Sequence, residues 1–597
     1  MRNLWRTLNE LFTVLPAGAK PYYVWYSIAT SLLAILDIMA LTLIMLVVTP
    51  LVTGGAVVLP VLGEVPDSAT VWIIAVICLL FILKGVFAVV LHWYATRRFA
   101  RYELQVGDEL FQGYTRASWL KRSQLSTAEV TRIVDSSMAN TNLGFILPLA
   151  QVPGNALTFV AVLGVLVFAQ PLTALIAFVY LSLIAVFMLL VVTRRSQAAG
   201  RDNRGYAYKV ATVMTEMVEA LKEVVLRDKL EEVGRVVSKN RKVATRARAN
   251  ISFLGIVPKY VFESALIGGF LIVGGSAYLV GGGGANGTAQ AVVAISLFAA
   301  TGFRMIPAMN QVQASFTAAS ANEVYARDVI RELTDLRGDS TAQEQRADTA
   351  KLSVAPQKLA LEDVCFRYPG ADADVLKNVS FTVPFGSSLA IVGPSGSGKS
   401  TLIDILLGLS VPTSGSMWID DEQLNTVMRQ WRQRVGYVPQ RVALFDASIA
   451  QNVALTWEDD YDSDRVTAAL ARAHLEELAH RGAGIEERIG ERGSSISGGQ
   501  QQRLGIARAL YSDPLVIVMD EATSALDTAT ENRVTESMRE LQGEVTFITV
   551  AHRLATIREY DRICYLDQGE ILGSGTFEEV VAQVPEFRLQ AELAGLL

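Results

Sequence analysis

Cysteine and histidine are scarce in this 597-residue chain. There are three cysteines (Cys78, Cys365 and Cys564), far apart and without a CxxC pair, and four histidines. That excludes a disulfide framework, a zinc site and a His-rich metal protein, and leaves reduced thiols as the default. Charge is also scarce: charged residues make up 19%, against about 25% in soluble proteins. No basic domain or Arg/aromatic stripe of the kind that binds nucleic acid is present. What the chain has instead is apolar sequence, 51% of residues, with a mean hydropathy of +0.32. The charge is also unevenly spread. Basic residues outnumber acidic ones up to Arg337, the reverse holds beyond it, and the sum is −6.

The first half reads as a membrane domain. Leu4, Leu8, Leu11, Phe12 and Leu15 fall at helical spacing with Arg2, Arg6 and Lys20 beside them, which predicts an N-terminal amphipathic helix lying in the membrane interface. A bilayer core needs roughly 20 apolar residues per helix, and six long apolar stretches follow, near 22–51, 70–95, 143–168, 172–193, 251–280 and 288–316. The connections 52–69, 169–171 and 281–287 contain no Lys or Arg, whereas 96–142 contains seven and 194–250 fourteen. The positive-inside rule puts both long connections and both chain ends in the cytoplasm. Those connections are not Gly/Pro-rich, so the expectation is membrane helices that continue into the cytoplasm and close on short helices near Ser118–Gln124 and Leu221–Leu230.

After Leu336 the polar stretch 337–352 reads as a linker, dividing a membrane domain (1–336) from an α/β domain (353–597). The strand-like run Ser388–Val392 leads into Gly393-Pro394-Ser395-Gly396-Ser397-Gly398-Lys399-Ser400, followed by Thr401 and a helical pattern. This is GxxxxGK[ST] in a strand–loop–helix context. Its glycines let backbone N–H groups wrap phosphates, Lys399 reaches β/γ oxygens, and Ser400 is placed to ligate Mg²⁺. A second apolar run, Leu515–Met519, ends in Asp520-Glu521. An acid at the end of a strand beside a phosphate loop holds Mg²⁺, and its neighbour can polarise an attacking water, so the roles assigned are metal for Asp520 and general base for Glu521.

These residues resemble the ATP-binding cassette (ABC) transporters. Ile496-Ser497-Gly498-Gly499-Gln500 is similar to their LSGGQ signature, with Ile in place of Leu. Gln440 after Tyr437-Val-Pro resembles the Q-loop, Ser524-Ala-Leu-Asp527 the D-loop, and His552 the switch histidine. Tyr368 sits where the family stacks an aromatic ring on adenine. Gln440 can also bind Mg²⁺ or water through its amide oxygen, and His552 can donate to a γ-phosphate oxygen. The resemblance implies a head-to-tail dimer in which the signature of one cassette closes the ATP site of the other. A chain with one cassette then needs a second chain, most simply itself. The order of membrane helices then cassette resembles the half-size exporters, as does Gly490-Glu491-Arg492-Gly493 ahead of the signature. The implied fold is a six-span α-helical membrane domain fused to an α/β P-loop ATPase domain. The implied cofactors are ATP and Mg²⁺, and the implied place is the plasma membrane with the cassette inside.

Ionisable residues within the spans are the candidates for cargo contact: Asp37, Lys84, Lys259, Glu263 and Arg304. Two readings stay open. They form a basic cavity suited to an anionic head group, or Asp37–Lys84 and Glu263–Arg304 are structural pairs. Pro258–Glu263 and Gly302–Pro307 resemble segments of bacterial lipid-linked oligosaccharide flippases, which favours an amphipathic, anionic, lipid-linked cargo. Against that branch, Pro60 and Pro66 disfavour a helix in the outer loop 53–69. A multidrug or peptide exporter of the same architecture is the alternative. An ATP-gated channel or regulator is the alternative of another class.

Overall fold

The computed structural model describes residues 2–53, 57–59, 63–65, 67–124, 136–344, 348–522, 528–551 and 553–597. The chain divides into two compact units, Met1–Ala117 with Arg122–Ser340, and Ser118–Lys121 with Thr341–Leu597.

The first unit is helical. After α1 (Arg2–Val14) and α2 (Ala19–Thr53) come the long helix α3 (Asp67–Arg116) and the short α4 (Trp119–Gln124). Then follow α5 (Leu147–Ala169), α6 (Pro171–Glu219), the short α7 (Leu221–Leu226), α8 (Leu230–Val280) and α9 (Gly284–Glu344). Among the described residues searched, five helices are long and apolar enough to cross a membrane. The other predicted span lies in α2, which runs 35 residues with Asp37 as its one acid. Several helices far outrun a bilayer. At ~1.5 Å per residue, the 49 residues of α6 and the 51 of α8 are more than twice the length a hydrocarbon core requires.

The leucines of α1 face protein: Leu4, Leu8 and Leu11 are buried in one cluster with Tyr23, Phe99 and Leu110. Each such burial contributes about 1.5–3 kcal/mol, so the unit itself offers that amphipathic face an apolar partner. Helix α9 runs on as far as Glu344, into the stretch 337–352 read from the sequence as a linker. Between α2 and α3, Val57–Leu59 (β1) pairs antiparallel with Gly63–Val65 (β2). Pro60 and Pro66 lie outside the described residues.

Polar seams hold the cytoplasmic extensions together. On α9, Asp328 is buried and takes both its oxygens to Arg204 of α6, at 2.9 and 2.8 Å. Such a fork is the geometry in which a buried carboxylate is best satisfied. Buried Glu323 accepts from Thr7, Gln197 and Arg327. Gly200 sits between them, where an added Cβ would lie 2.1 Å from the Ala321 carbonyl, so the two helices meet backbone to backbone there.

Among the described residues the second unit has two sheets. One is antiparallel, ordered β4 (Leu376–Pro384), β3 (Lys358–Phe366), β6 (Ser414–Ile419), β7 (Glu422–Gln423). The other is six-stranded, ordered β12 (Glu570–Gly575), β11 (Arg562–Asp567), β5 (Ser388–Val392), β10 (Thr546–Val550), β9 (Val516–Asp520), β8 (Val435–Val438), and is parallel except for β12. Every residue of β5 and β10 is buried, which accounts for their uninterrupted apolar sequence. Helix α10 (Lys399–Leu406) follows β5, and α11 (Gly498–Tyr511) precedes β9. Their side chains serve different cores, Leu402 and Ile405 one, Leu504 and Ile506 the other.

Candidate functional site

The site grows from the carboxyl ends of neighbouring parallel strands. Strand β5 delivers the phosphate loop, β9 delivers Asp520 and Glu521, and β8 delivers Tyr437 with Gln440 just beyond. The loop is held open by its backbone. An added Cβ at Gly393 would lie 1.9 Å from the Leu566 carbonyl, and Gly396 and Gly398 have φ of 84° and 106°, conformations that favour glycine. Gly398 is the N-cap of α10 and provides no side-chain cap, so the first N–H groups of that helix remain for an anion.

Lys399 is buried, and its ammonium donates to the carbonyls of Gly393 and Pro394, both at 2.8 Å. Burial pulls its pKa down, and the nearby carboxylates of Glu521 and Asp520 push back up. The ammonium is thus held on the loop while both carboxylates act on it electrostatically. Tyr368 stacks edge-on against Phe366 and shares a 3.0 Å hydrogen bond with Thr401 at the start of α10. Pro394, Ser395, Gly396 and Ser400 are exposed around the loop.

The Gln440 amide donates to a Glu521 carboxylate oxygen at 2.8 Å, and the Tyr437 hydroxyl donates to Asp520 at 3.4 Å. Glu521 has φ of 51°, a left-handed conformation uncommon for a side chain of this kind and characteristic of functional turns. For Mg²⁺, the donors present are hard oxygens: the Ser400 hydroxyl, the Asp520 carboxylate and the Gln440 amide oxygen. Within the loop the Ser397 hydroxyl is buried without a hydrogen-bond partner. This set fits the ion's preference for oxygen ligands shared with phosphates.

The signature is a different structure. Ser497 caps α11 in a reciprocal box with Gln500: the Ser497 hydroxyl accepts from the Gln500 N–H at 3.3 Å, and the Gln500 side chain accepts from the Ser497 N–H at 3.0 Å. Gln500 also donates to Glu477 at 3.1 Å. Gly498 and Gly499 lie on the first turn, and an added Cβ at Gly498 meets nothing within 4 Å. The hydrogen bonds described for Ser497–Gln500 do not reach the phosphate loop of the same chain. Asp527, Ser524 and His552 lie outside the described residues. Next to His552, Arg553 pairs with Glu531, which also accepts from Thr556 at 3.1 Å. That pairing carries no sequence signal.

In the first unit Lys84 and Arg304 are half-buried, and the Arg304 guanidinium lies 5.8 Å from the Phe81 ring centre. Phe81 and Lys84 are three apart on α3 and share a face. Lys259 and Glu263 are exposed on one side of α8, with the Lys259 ammonium 5.8 Å from the Tyr260 ring. The side chain of Asp37 lies outside the described residues.

A phosphate loop with Asp520 and Glu521 two strands away in the same sheet, and a second glycine-rich helix cap elsewhere in the domain, define a nucleotide-binding cassette joined to membrane helices. Residues 376–524 match the ABC transporter family model. Over 97% of the chain and 99% of the other, the fold superposes on the ATP-bound structure of a bacterial Atm1-family ABC exporter with a TM-score of 0.74 at 21% identity. The chain thus carries an ABC transporter domain and has the ABC exporter fold. Among curated proteins it is 37% identical over 314 residues to an ATP-dependent lipid A-core flippase of Chromohalobacter salexigens, covering 49% of this chain and 54% of the relative. It is 40% identical over 240 residues to a β-(1→2)glucan export ATP-binding/permease protein of Agrobacterium vitis, covering 39% and 41%. These matches span about half the relatives' length. A lipid A-core flippase of Haemophilus ducreyi aligns over 97% of this chain and 96% of its own at 26% identity.

Proposed function

We propose that the chain is one half of an ATP-driven exporter that moves an amphipathic, anionic, lipid-linked molecule from the inner to the outer leaflet, working as a dimer of itself. The observation that carries the ATPase reading is the meeting of Lys399, Asp520, Glu521 and Gln440 at the ends of β5, β9 and β8. In this reading Glu521 takes a proton from the attacking water. Gln440, hydrogen-bonded to it, holds the carboxylate in line, and Lys399 exchanges its loop carbonyls for phosphate oxygens. His552 donates to the γ-phosphate and Tyr368 packs on the adenine. Mg²⁺, held by Ser400, Asp520 and Gln440, supplies Lewis-acid stabilisation of the phosphoryl oxygens.

Ser497–Gln500 and Asp527 of each copy close the other copy's nucleotide. Because ATP binds better to the closed pair than to the open one, nucleotide shifts the population and the membrane helices follow. The cytoplasmic side is the side of the basic connections, and the domain limits proposed are 1–336, 337–352 and 353–597. The cargo reading rests on the half-buried basic residues Lys84 and Arg304 in the membrane unit and on the relatives named as lipid flippases. Asp37, Lys259 and Glu263 complete the proposed lining.

The test is flipping in proteoliposomes with a fluorescent polyprenyl-pyrophosphate glycan. ATP-dependent loss of accessible label is expected, and Glu521→Gln is expected to bind ATP while losing turnover by at least about a hundredfold. Undiminished ATPase in Glu521→Gln sinks the assigned base. ATPase stimulated by hydrophobic drugs or peptides, with the glycan unmoved, sinks the cargo and leaves the pump. Arg304→Ala is expected to raise the apparent KM for the lipid severalfold more than it changes basal ATPase. Equal effects on both would return Arg304 to a structural role.

A further inference from the structure

Gln440 reaches Glu521 from a poorly supported place. Its side chain is exposed, and it lies just past β8 in a stretch, 439–447, without regular structure. Neither burial nor a strand ladder fixes the backbone from which its amide donates to Glu521 at 2.8 Å. A group that orients a catalytic carboxylate needs its own support. Helix α11 supplies contacts along that stretch, from residues three apart on one face. Gln502 is buried, and its amide donates to the Pro439 carbonyl at 3.0 Å. At Gly505 an added Cβ would lie 2.6 Å from a Val442 methyl. Arg508 donates to the carbonyls of Ala443 at 2.9 Å and Asn452 at 2.8 Å. Gln440 is thus bracketed, tied at the residue before it and packed or tied at the second and third residues after it.

The bond to Pro439 bears most directly on Gln440. The Pro439 carbonyl and the Gln440 nitrogen share one rigid peptide plane. The pyrrolidine ring holds φ of Pro439 near about −65°, and a donor on its carbonyl restrains ψ by holding that plane. Both soft dihedrals of Pro439 that lead into Gln440 are therefore limited, one by the ring and the other by Gln502. We propose that Gln502 is a positioning residue for hydrolysis, acting through the Pro439 carbonyl on Gln440 and so on the carboxylate of Glu521. Gly505 has a part in this, since the absence of a side chain there lets α11 lie close enough to the stretch. The inference rests on the ATPase reading above, and within it on the role given to Gln440.

The experiment uses the full chain in proteoliposomes. Steady-state ATPase gives kcat and KM, and trinitrophenyl-ATP binding in EDTA counts the folded sites to which kcat is referred. Gln502→Met keeps the length of the side chain and removes the donor. It is expected to lower kcat about three- to tenfold, the range for one lost hydrogen bond, with trinitrophenyl-ATP affinity unchanged. The deciding step is the same substitution in a Gln440→Ala chain, where it is expected to cost no further kcat, because residues that act through one another are not additive. Gly505→Ala is expected to lower kcat in the same way from the other side of Gln440, and Val442→Ala added to it to restore kcat by making room for the new methyl. Unchanged kcat in Gln502→Met overturns the proposal. So does an equal loss with and without Gln440, the result a merely structural Gln502 would give. Failure of Val442→Ala to rescue Gly505→Ala removes the part given to Gly505. Undiminished kcat in Gln440→Ala alone sinks the role of Gln440 itself, and it is then the reading above that fails.

Discussion

Two helices of the second unit begin in glycine-rich sequence, and their N-termini are finished in opposite ways. At α10 the cap is Gly398, which has no side chain to offer, and the loop glycines hold a shape that a Cβ would obstruct. At α11 the cap is Ser497, and the Ser497–Gln500 box satisfies two backbone donors within the helix itself. The first terminus keeps its positive end for an anion. The second has spent part of that capacity on its own stability, leaving two small residues and no adjacent lysine. The lesson is that a glycine run ahead of a helix is not by itself a phosphate site. What separates the two is whether the cap is filled and whether a buried cation stands behind it. A half-finished anion site of the second kind suits a ligand already held elsewhere, as in a dimer where one copy's α11 meets nucleotide bound by the other.

The comparison can be broken at its strong end first. Lys399→Ala removes the buried cation, and nucleotide affinity measured by calorimetry is expected to fall at least about a hundredfold, given the strength of charge-assisted bonds in a shielded site. Retained affinity would mean that the uncapped helix suffices alone. Next, Ser497→Ala removes the cap of α11 and is expected to cost about 1 kcal/mol of stability in denaturant unfolding. It is also expected to lower ATPase about tenfold while the ATP affinity of a single cassette stays put. Thr576→Ala provides the control, because Thr576 and Glu579 form the same reciprocal box on the helix Phe577–Gln583, which follows no glycine-rich signature. Similar stability loss with ATPase per folded molecule unchanged in Thr576→Ala, set against the loss in Ser497→Ala, would separate capping from anion contact. Equal ATPase loss in both would reduce the signature to a cap.

The smallest effect concerns acid. Burial raises the pKa of Asp561, but bonds from the Ser388 N–H and hydroxyl, at 2.8 and 2.7 Å, and from Gln542 outweigh it, so the carboxyl ends below its ordinary value. A depressed carboxylate contributes stability above its unfolded pKa, and that contribution is lost as pH falls through the folded one. Asp561→Asn is therefore expected to flatten the acid side of the stability–pH curve below about pH 4, and an unchanged slope there would remove Asp561 from the acid-sensitive groups.

Much of this was legible in the residues. The spacing of Gly393, Gly398, Lys399 and Ser400 has one mechanical use, and an apolar run ending in Asp520-Glu521 needs a buried strand before it. The helical extensions were legible because 96–142 and 194–250 combine apolar periodicity with charge. Other features had no such signal. The burial of Leu4 and Leu8 depends on what another part of the chain offers them, since an amphipathic face looks alike whether lipid or protein covers it. The contact of Tyr437 with Asp520 joins residues 83 apart, and a lone tyrosine in the sequence looks the same at an ordinary surface position. Arg553–Glu531 is invisible for the same reason.

Lys399, already lodged on the carbonyls of its own loop, has a thermodynamic consequence. The disorder that a flexible glycine loop and a long side chain would lose on meeting a ligand is lost instead when the chain folds. Nucleotide then finds a preorganised receptor, and the lysine trades one set of oxygens for another of greater charge. Binding to the cassette should accordingly carry a small ordering entropy. In the proposed dimer, the free energy left over becomes available for drawing two cassettes together.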